Sequence, residues 1–177
     1  MVPVSDYAVV SDTASLEEAL IALENENKSH NGGPYRHQSL VVVDSSQHVV
    51  GRISQIDIMR ALEPKYKELG DSQKLGLSGL SEKMLVSIRE SFGLYERPIE
   101  TIPEVIAAVD IADVMQVPTE GEFVAESDTL NIAMHRIVMG KHHSLLVTKE
   151  KSIVGILRST DVFNALYNIL TPMLSDK

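Results

Sequence analysis

The sequence predicts an α/β (α+β) fold made of two copies of one β-α-β-β-α unit, with a helical insert between them. Three observations carry this. Ser39 to Leu62 (SLVVVDSSQHVVGRISQIDIMRAL) and Ser144 to Leu166 (SLLVTKEKSIVGILRSTDVFNAL) both read as strand, turn, strand, tight polar elbow and helix. In each, a glycine (Gly51, Gly155) precedes an aspartate (Asp57, Asp161) by six residues. Each stretch also follows an apolar helical stripe spaced i, i+3, i+4, i+7. The stripe is Leu16, Ala19, Leu20 and Leu23 in the first copy, and Leu130, Ala133, Met134 and Ile137 in the second.

Tyr7 to Val10 is a short apolar stretch and reads as a strand. Ser15 has the chemistry of a helix N-cap, and Glu18 three residues later completes a capping box. That helix is expected to end near Glu24, because the following NENKSHNGGPYRHQ is rich in Asn and Gly and reads as a loop. Leu40–Val43 and Val49–Ile53 are short strands joined by the turn residues DSSQ. From Asp57 onward Ile58, Met59, Ala61 and Leu62 predict a helix that Pro64 limits.

Pro64 to Val109 differs in kind. Gly70, Gly76, Gly79, Gly93, Pro98 and Pro103 punctuate it. Between them Met84, Leu85, Ile88 and Phe92 mark a helix capped by Ser81, and Ile102–Val109 a second helix with Pro103 in its first turn. So many apolar residues argue for a folded insert rather than a disordered linker. The second copy starts near Ile111. Phe123 and Val124 parallel Val9 and Val10, and Thr129 stands where Ser15 caps the first helix. Leu145–Val147 and Ile153–Leu157 repeat the two strands, and the run from Asp161 repeats the last helix. The expected organisation is 1–64, insert 65–109, and 110–177. Spacing supports a repeat: Leu16 to Gly51 is 35 residues and Leu130 to Gly155 is 25, the excess falling in the loop 25–38. Insertions belong in exposed loops.

Composition removes several classes of function. The formal net charge of −9 over 177 residues argues against nucleic-acid or anionic-membrane surfaces, which need clustered Lys and Arg. Cysteine is absent, which excludes disulfides, thiolate metal sites and Cys nucleophiles. No apolar run approaches the roughly 18 residues a membrane span requires, and MVPVSDYAVV lacks the basic start of a signal peptide. A soluble cytoplasmic protein is expected. G-x-x-x-x-G-K-[ST], H-E-x-x-H and G-x-S-x-G are all missing, and nothing in the spacing of the 25 acidic residues singles out a catalytic pair. No enzyme activity is expected.

The elbows carry binding chemistry. A strand-to-helix elbow aims free N–H groups and the positive end of a helix dipole at one point, which suits an anion. A carboxylate there accepts two hydrogen bonds from a cis-diol, and apolar neighbours sandwich a planar base. Ser54 and Asp57 form S-x-x-D, which is also an ordinary helix cap; the two roles are compatible. The second elbow departs from the first: Arg158 replaces Ser54 and Thr160 replaces Ile56. A guanidinium there either grips phosphate with its fork or pairs with a protein carboxylate and plugs the site. His142 and His143, with His135 a turn away, raise the question of a metal. Neighbouring strand residues point to opposite faces, so no metal site is expected.

The repeat resembles the CBS (cystathionine-β-synthase-type) domain in its tandem, Bateman-type pair. ADVM, SLVVVD and GRISQIDIMRAL fit that pattern, and the resemblance covers Val4–Leu62 and Ile111–Leu170. It implies two units packed sheet to sheet as a pseudo-two-fold pair with two clefts. It also implies a stand-alone regulatory module that needs no cofactor and takes an adenosine-containing ligand in a cleft: AMP, ADP, ATP or S-adenosylmethionine. By that resemblance Asp57 and Asp161 hold ribose hydroxyls, while Ser54 or Thr160 and the helix N-terminus hold phosphate. His143 and its counterpart Gln38 border the clefts and can contact phosphate, and Thr119 and Glu122 lie where the purine or ribose is contacted. Assembly as a homodimer through the helices follows, with an effector protein reading the bound state. The alternative is a structural association module with empty or self-filled clefts. Arg158, Thr160 and Asp161 are expected either to specialise in phosphate or to close their cleft with the arginine. Ser54 and Asp57 are expected to stay nearer the family pattern.

Overall fold

A computed structural model describes residues 1–29, 39–67, 81–150 and 152–175. The strands are β1 (Val2–Pro3), β2 (Val9–Ser11), β3 (Ser39–Val43), β4 (Val49–Ser54), β5 (Phe123–Ala125), β6 (Ser144–Lys149) and β7 (Ser152–Arg158). The helices are α1 (Leu16–Ser29), α2 (Gln55–Ala61), α3 (Glu82–Phe92), α4 (Ile102–Ala107), α5 (Leu130–Gly140) and α6 (Ser159–Ser175). The fold is mixed α and β, and both copies run strand, helix, strand, strand, helix as the repeat predicts.

Two sheets form. One has the order β2-β3-β4, with β2 parallel to β3 and Val10 opposite Val42. The other has the order β1-β7-β6-β5; β5 runs parallel to β6, and β6 and β1 run antiparallel to β7. Strand β1 was not legible as a strand. It lies so close over β7 that a Cβ on Gly155 would meet Val2 O at 2.9 Å. That approach gives the glycine of the second copy a physical reason.

The chain divides into two compact units, neither contiguous in sequence. The first comprises Met1–Ser11, Val41–Arg52 and Gln116–Lys177, and so draws on both copies of the repeat. Its strand β6 is buried on both faces, which explains the unbroken apolar run LLV. Leu145 and Val147 pack with Val124, Ala133 and Val162. Leu146 faces the other way, into a cluster with Tyr7, Val41, Val43 and Ile156.

The second unit comprises Asp12–Leu40 and Ile53–Met115. The Ser15–Glu18 capping box forms: the Ser15 N–H donates to Glu18 Oε2 at 2.8 Å and the Glu18 N–H to Ser15 Oγ at 3.2 Å. Helix α1 does not stop at Glu24, as the end of its apolar stripe suggested, but continues to Ser29. Asn25 to Ser29 contains no glycine or proline, and Lys28 pairs with Glu24 at 3.4 Å across one turn. The insert is tied down by Glu63, only 2% exposed. Its carboxylate accepts the N–H of Tyr95 at 2.7 Å and of Lys65 at 3.3 Å, and Lys65 Nζ donates to Gly93 O at 2.6 Å. Tyr66 and Tyr95 meet edge to face at 5.8 Å. The hydrogen bond with Tyr66, burial and the nearby Glu63 push the Tyr95 phenol up to about 12. Ser81 caps α3 as predicted, accepting the Met84 N–H at 3.3 Å. Gly70, Gly76 and Gly79 lie outside the described residues.

Candidate ligand-binding site

The first elbow joins β4 to α2. Ser54 is the N-cap of α2 and keeps an extended backbone. Its hydroxyl accepts the Asp57 N–H at 3.3 Å and donates to Asp57 Oδ2 at 2.5 Å, and its own N–H donates to the same oxygen at 2.9 Å. This is a complete capping box with aspartate in the return position. Arg60 Nη1 stands 3.7 Å from the second oxygen, Oδ1. Asp57 is 4% exposed, and such burial of a carboxylate is tolerated because these donors meet it. The structural role that the S-x-x-D spacing allowed is therefore present.

The second elbow joins β7 to α6 with the same backbone return bond and a different partner. The Arg158 N–H donates to Asp161 Oδ2 at 3.1 Å, as the Ser54 N–H does in the first copy. The side chain adds a fork: Nε donates to Oδ2 at 3.1 Å and Nη2 to Oδ1 at 2.6 Å. Both side chains are largely buried, at 20% and 17% exposure. Burial alone would raise the Asp161 carboxyl. The side-chain and backbone hydrogen bonds from Arg158, with its charge, outweigh this and hold the group below the usual carboxylate range. Of the two roles open to Arg158 in the sequence, this geometry is the pairing with a protein carboxylate. Thr160 is exposed in the first turn of α6. His143 is also exposed; its backbone carbonyl accepts the Ser159 N–H at 2.8 Å, which sets it beside the elbow.

Thr119 and Glu122 come together in a turn ahead of β5. Glu122 Oε1 accepts both the N–H and the hydroxyl of Thr119 at 3.2 Å. Glu122 is buried, and its Oε2 forms an ion pair with Arg52 Nη2 that lacks the direction of a hydrogen bond. Arg52 Nη1 reaches across to Ser144 at 3.3 Å on Oγ, and the Arg52 backbone exchanges hydrogen bonds with Gln116 at 3.0 and 2.8 Å. Ser144 in turn lies opposite Arg158 in the β6–β7 register. Glu122, Arg52, Ser144, Arg158 and Asp161 thus form one polar run within the first compact unit. Arg52 and Ser144 were not among the candidates. The available signal was Arg52 itself, a charge in a buried strand at the position where the second copy has Ile156. Gln38 lies outside the described residues.

Among the described residues no group of three or more His, Asp or Glu could hold a metal ion. The His142 ring closes over Gly140, where an added Cβ would collide with it. Among the described residues no helix is long and apolar enough to cross a membrane.

Two strand–strand–helix copies, each closing on a carboxylate at the first turn of its last helix, define a tandem α+β module. The CBS domain profile matches residues 2–64 and 97–168, and the chain belongs to the CBS domain family. Solved structures share its fold. CBSX2 in complex with AMP is 22% identical, with 96% of this chain and 93% of that one covered and a TM-score of 0.57. The CBS-pair protein CBSX2 from Arabidopsis thaliana is 19% identical, with 96% and 92% covered and a TM-score of 0.59. A CBS domain-containing protein of unknown function from Bacillus anthracis is 16% identical, with 95% and 89% covered and a TM-score of 0.59. No curated protein sequence matches the chain.

Proposed function

We propose that the chain is a non-catalytic regulatory module that binds an adenosine-containing ligand of the AMP, ADP, ATP or S-adenosylmethionine class. The observation that carries this reading is the pair of elbows, each holding a carboxylate in the first turn of a helix, beside the N-terminal N–H groups that suit an anion. CBSX2, similar over most of both chains, is known in complex with AMP, which supports an adenine nucleotide as the first ligand to try. Regulation requires that the ligand bind one conformational state more tightly than another. A homodimer is the form in which we expect it to act. Phe163, Tyr167, Leu170 and Leu174 give α6 an exposed apolar stripe at i, i+4, i+7 and i+11, which a second copy can cover.

The test is a thermal-shift panel of AMP, ADP, ATP, S-adenosylmethionine and NADH. A ligand at 100 times its Kd stabilises by about 2.7 kcal/mol. No shift with any of them at millimolar concentration sinks the ligand reading. The second reading, a structural association module, is favoured by Arg158, which already fills the carboxylate of its own elbow. It predicts a dimer in sedimentation that no nucleotide alters.

A further inference from the structure

We infer that Arg158 is a specificity latch: it bars the second elbow to uncharged ribosides and yields only to a ligand that brings its own anion. This deepens the adenosyl-ligand reading and rests on it. Both oxygens of Asp161 are engaged, Oδ2 by the Arg158 N–H and Nε and Oδ1 by Nη2. A ribose diol that takes this carboxylate must displace the fork. Displacement takes from a guanidinium that is 20% exposed the carboxylate that holds it on two nitrogens, and removing that counter-charge from a mostly shielded group is costly. Adenosine offers nothing in exchange. A phosphorylated nucleoside does, because phosphate oxygens accept the same two-pronged donor geometry as the carboxylate. The guanidinium then passes from Asp161 to the phosphate and the carboxylate is released to the diol.

Ser144, opposite Arg158 on β6, already accepts a hydrogen bond from Arg52, whose own guanidinium is held by Glu122. The first elbow supplies the control. There Asp57 Oδ2 is met by a hydroxyl rather than a fork, and the one guanidinium near it, Arg60, stands 3.7 Å from Oδ1 and is about half exposed, so no charged fork closes over the carboxylate.

The experiment is isothermal titration of AMP and adenosine into the full chain and into Arg158→Ser, which copies the Ser54 arrangement and can rebuild a capping box. The wild type should prefer AMP over adenosine by about tenfold or more, the scale of a charge-assisted hydrogen bond. Arg158→Ser should bring the ratio to within about threefold, chiefly by strengthening adenosine. Arg158→Lys keeps the charge and loses the fork, so its ratio should fall between the two. A ratio unchanged in Arg158→Ser, with both ligands still bound, overturns the latch and leaves the adenosyl-ligand reading standing. Equal affinity of the wild type for both ligands does the same. No binding of either ligand to the wild type overturns both.

Discussion

The two elbows solve one local problem with different chemistry. Each must end a strand, start a helix and satisfy the first free N–H groups. Both do so by returning an aspartate three residues ahead onto the N-cap N–H, Asp57 onto Ser54 and Asp161 onto Arg158. They diverge at the N-cap side chain. Ser54 closes the box with a neutral hydroxyl, whereas Arg158 lays a charged fork over its carboxylate. The strands leading in diverge as well: β4 carries Arg52, paired with Glu122, where β7 carries the buried Ile156. The return bond from the N-cap N–H to the aspartate is what the two copies share, and the N-cap side chain is where they differ.

The largest expected effect lies in the strand. Arg52→Ala removes the counter-charge of a buried Glu122 and should cost about 3 kcal/mol in urea unfolding, since breaking a buried ion pair strands a charge. Arg52→Ile with Glu122→Leu makes β4 resemble β7 and should recover most of that loss. If the double variant is no more stable than Arg52→Ala, the charge is not what the strand requires, and the comparison between β4 and β7 fails.

Next is the cap. Asp57→Ala should cost about 2 kcal/mol, because it strips an N-cap N–H and a hydroxyl of their acceptor in a buried setting. Asp57→Asn keeps one acceptor oxygen and should cost less. Equal losses for the two variants would show that the capping bonds are not the source of the effect.

These elbows were legible in the sequence because their signals are local. Ser-x-x-Asp, the glycine six residues before the aspartate and the helical stripes lie within a few residues of the structures they produce. The end of α1 was misplaced for the converse reason: its last turn carries no apolar residue to extend the stripe, and polar residues continue a helix as well as they start a loop. The pairing of Arg52 with Glu122 joins residues 70 positions apart, and no local pattern encodes it. Arg158 is intermediate. Its partner stands three residues away, yet the sequence left two carboxylate-or-phosphate roles open because a guanidinium fork fits both.

The smallest expected effect falls on Arg158 and sharpens the comparison most. Asp161 is held below its ordinary value of 3.8, so the unfolded chain binds its proton more readily than the folded one. The stability it contributes is therefore complete above that value and is lost as the pH falls through the lower folded one. Arg158→Ser removes the fork that opposes burial and brings the folded value back toward the unfolded one, so this acid loss should be smaller in the variant. At neutral pH the same change should move stability by less than about 1 kcal/mol. A partly exposed ion pair is exchanged for a hydroxyl in the Ser54 arrangement, and the return bond to the backbone N–H stays. Urea midpoints for both proteins at neutral pH and in the acid range make the measurement. A large neutral-pH loss would mean that the arginine holds the elbow together. A small one with a reduced acid loss means that the cap does, and that the guanidinium only adds charge to it.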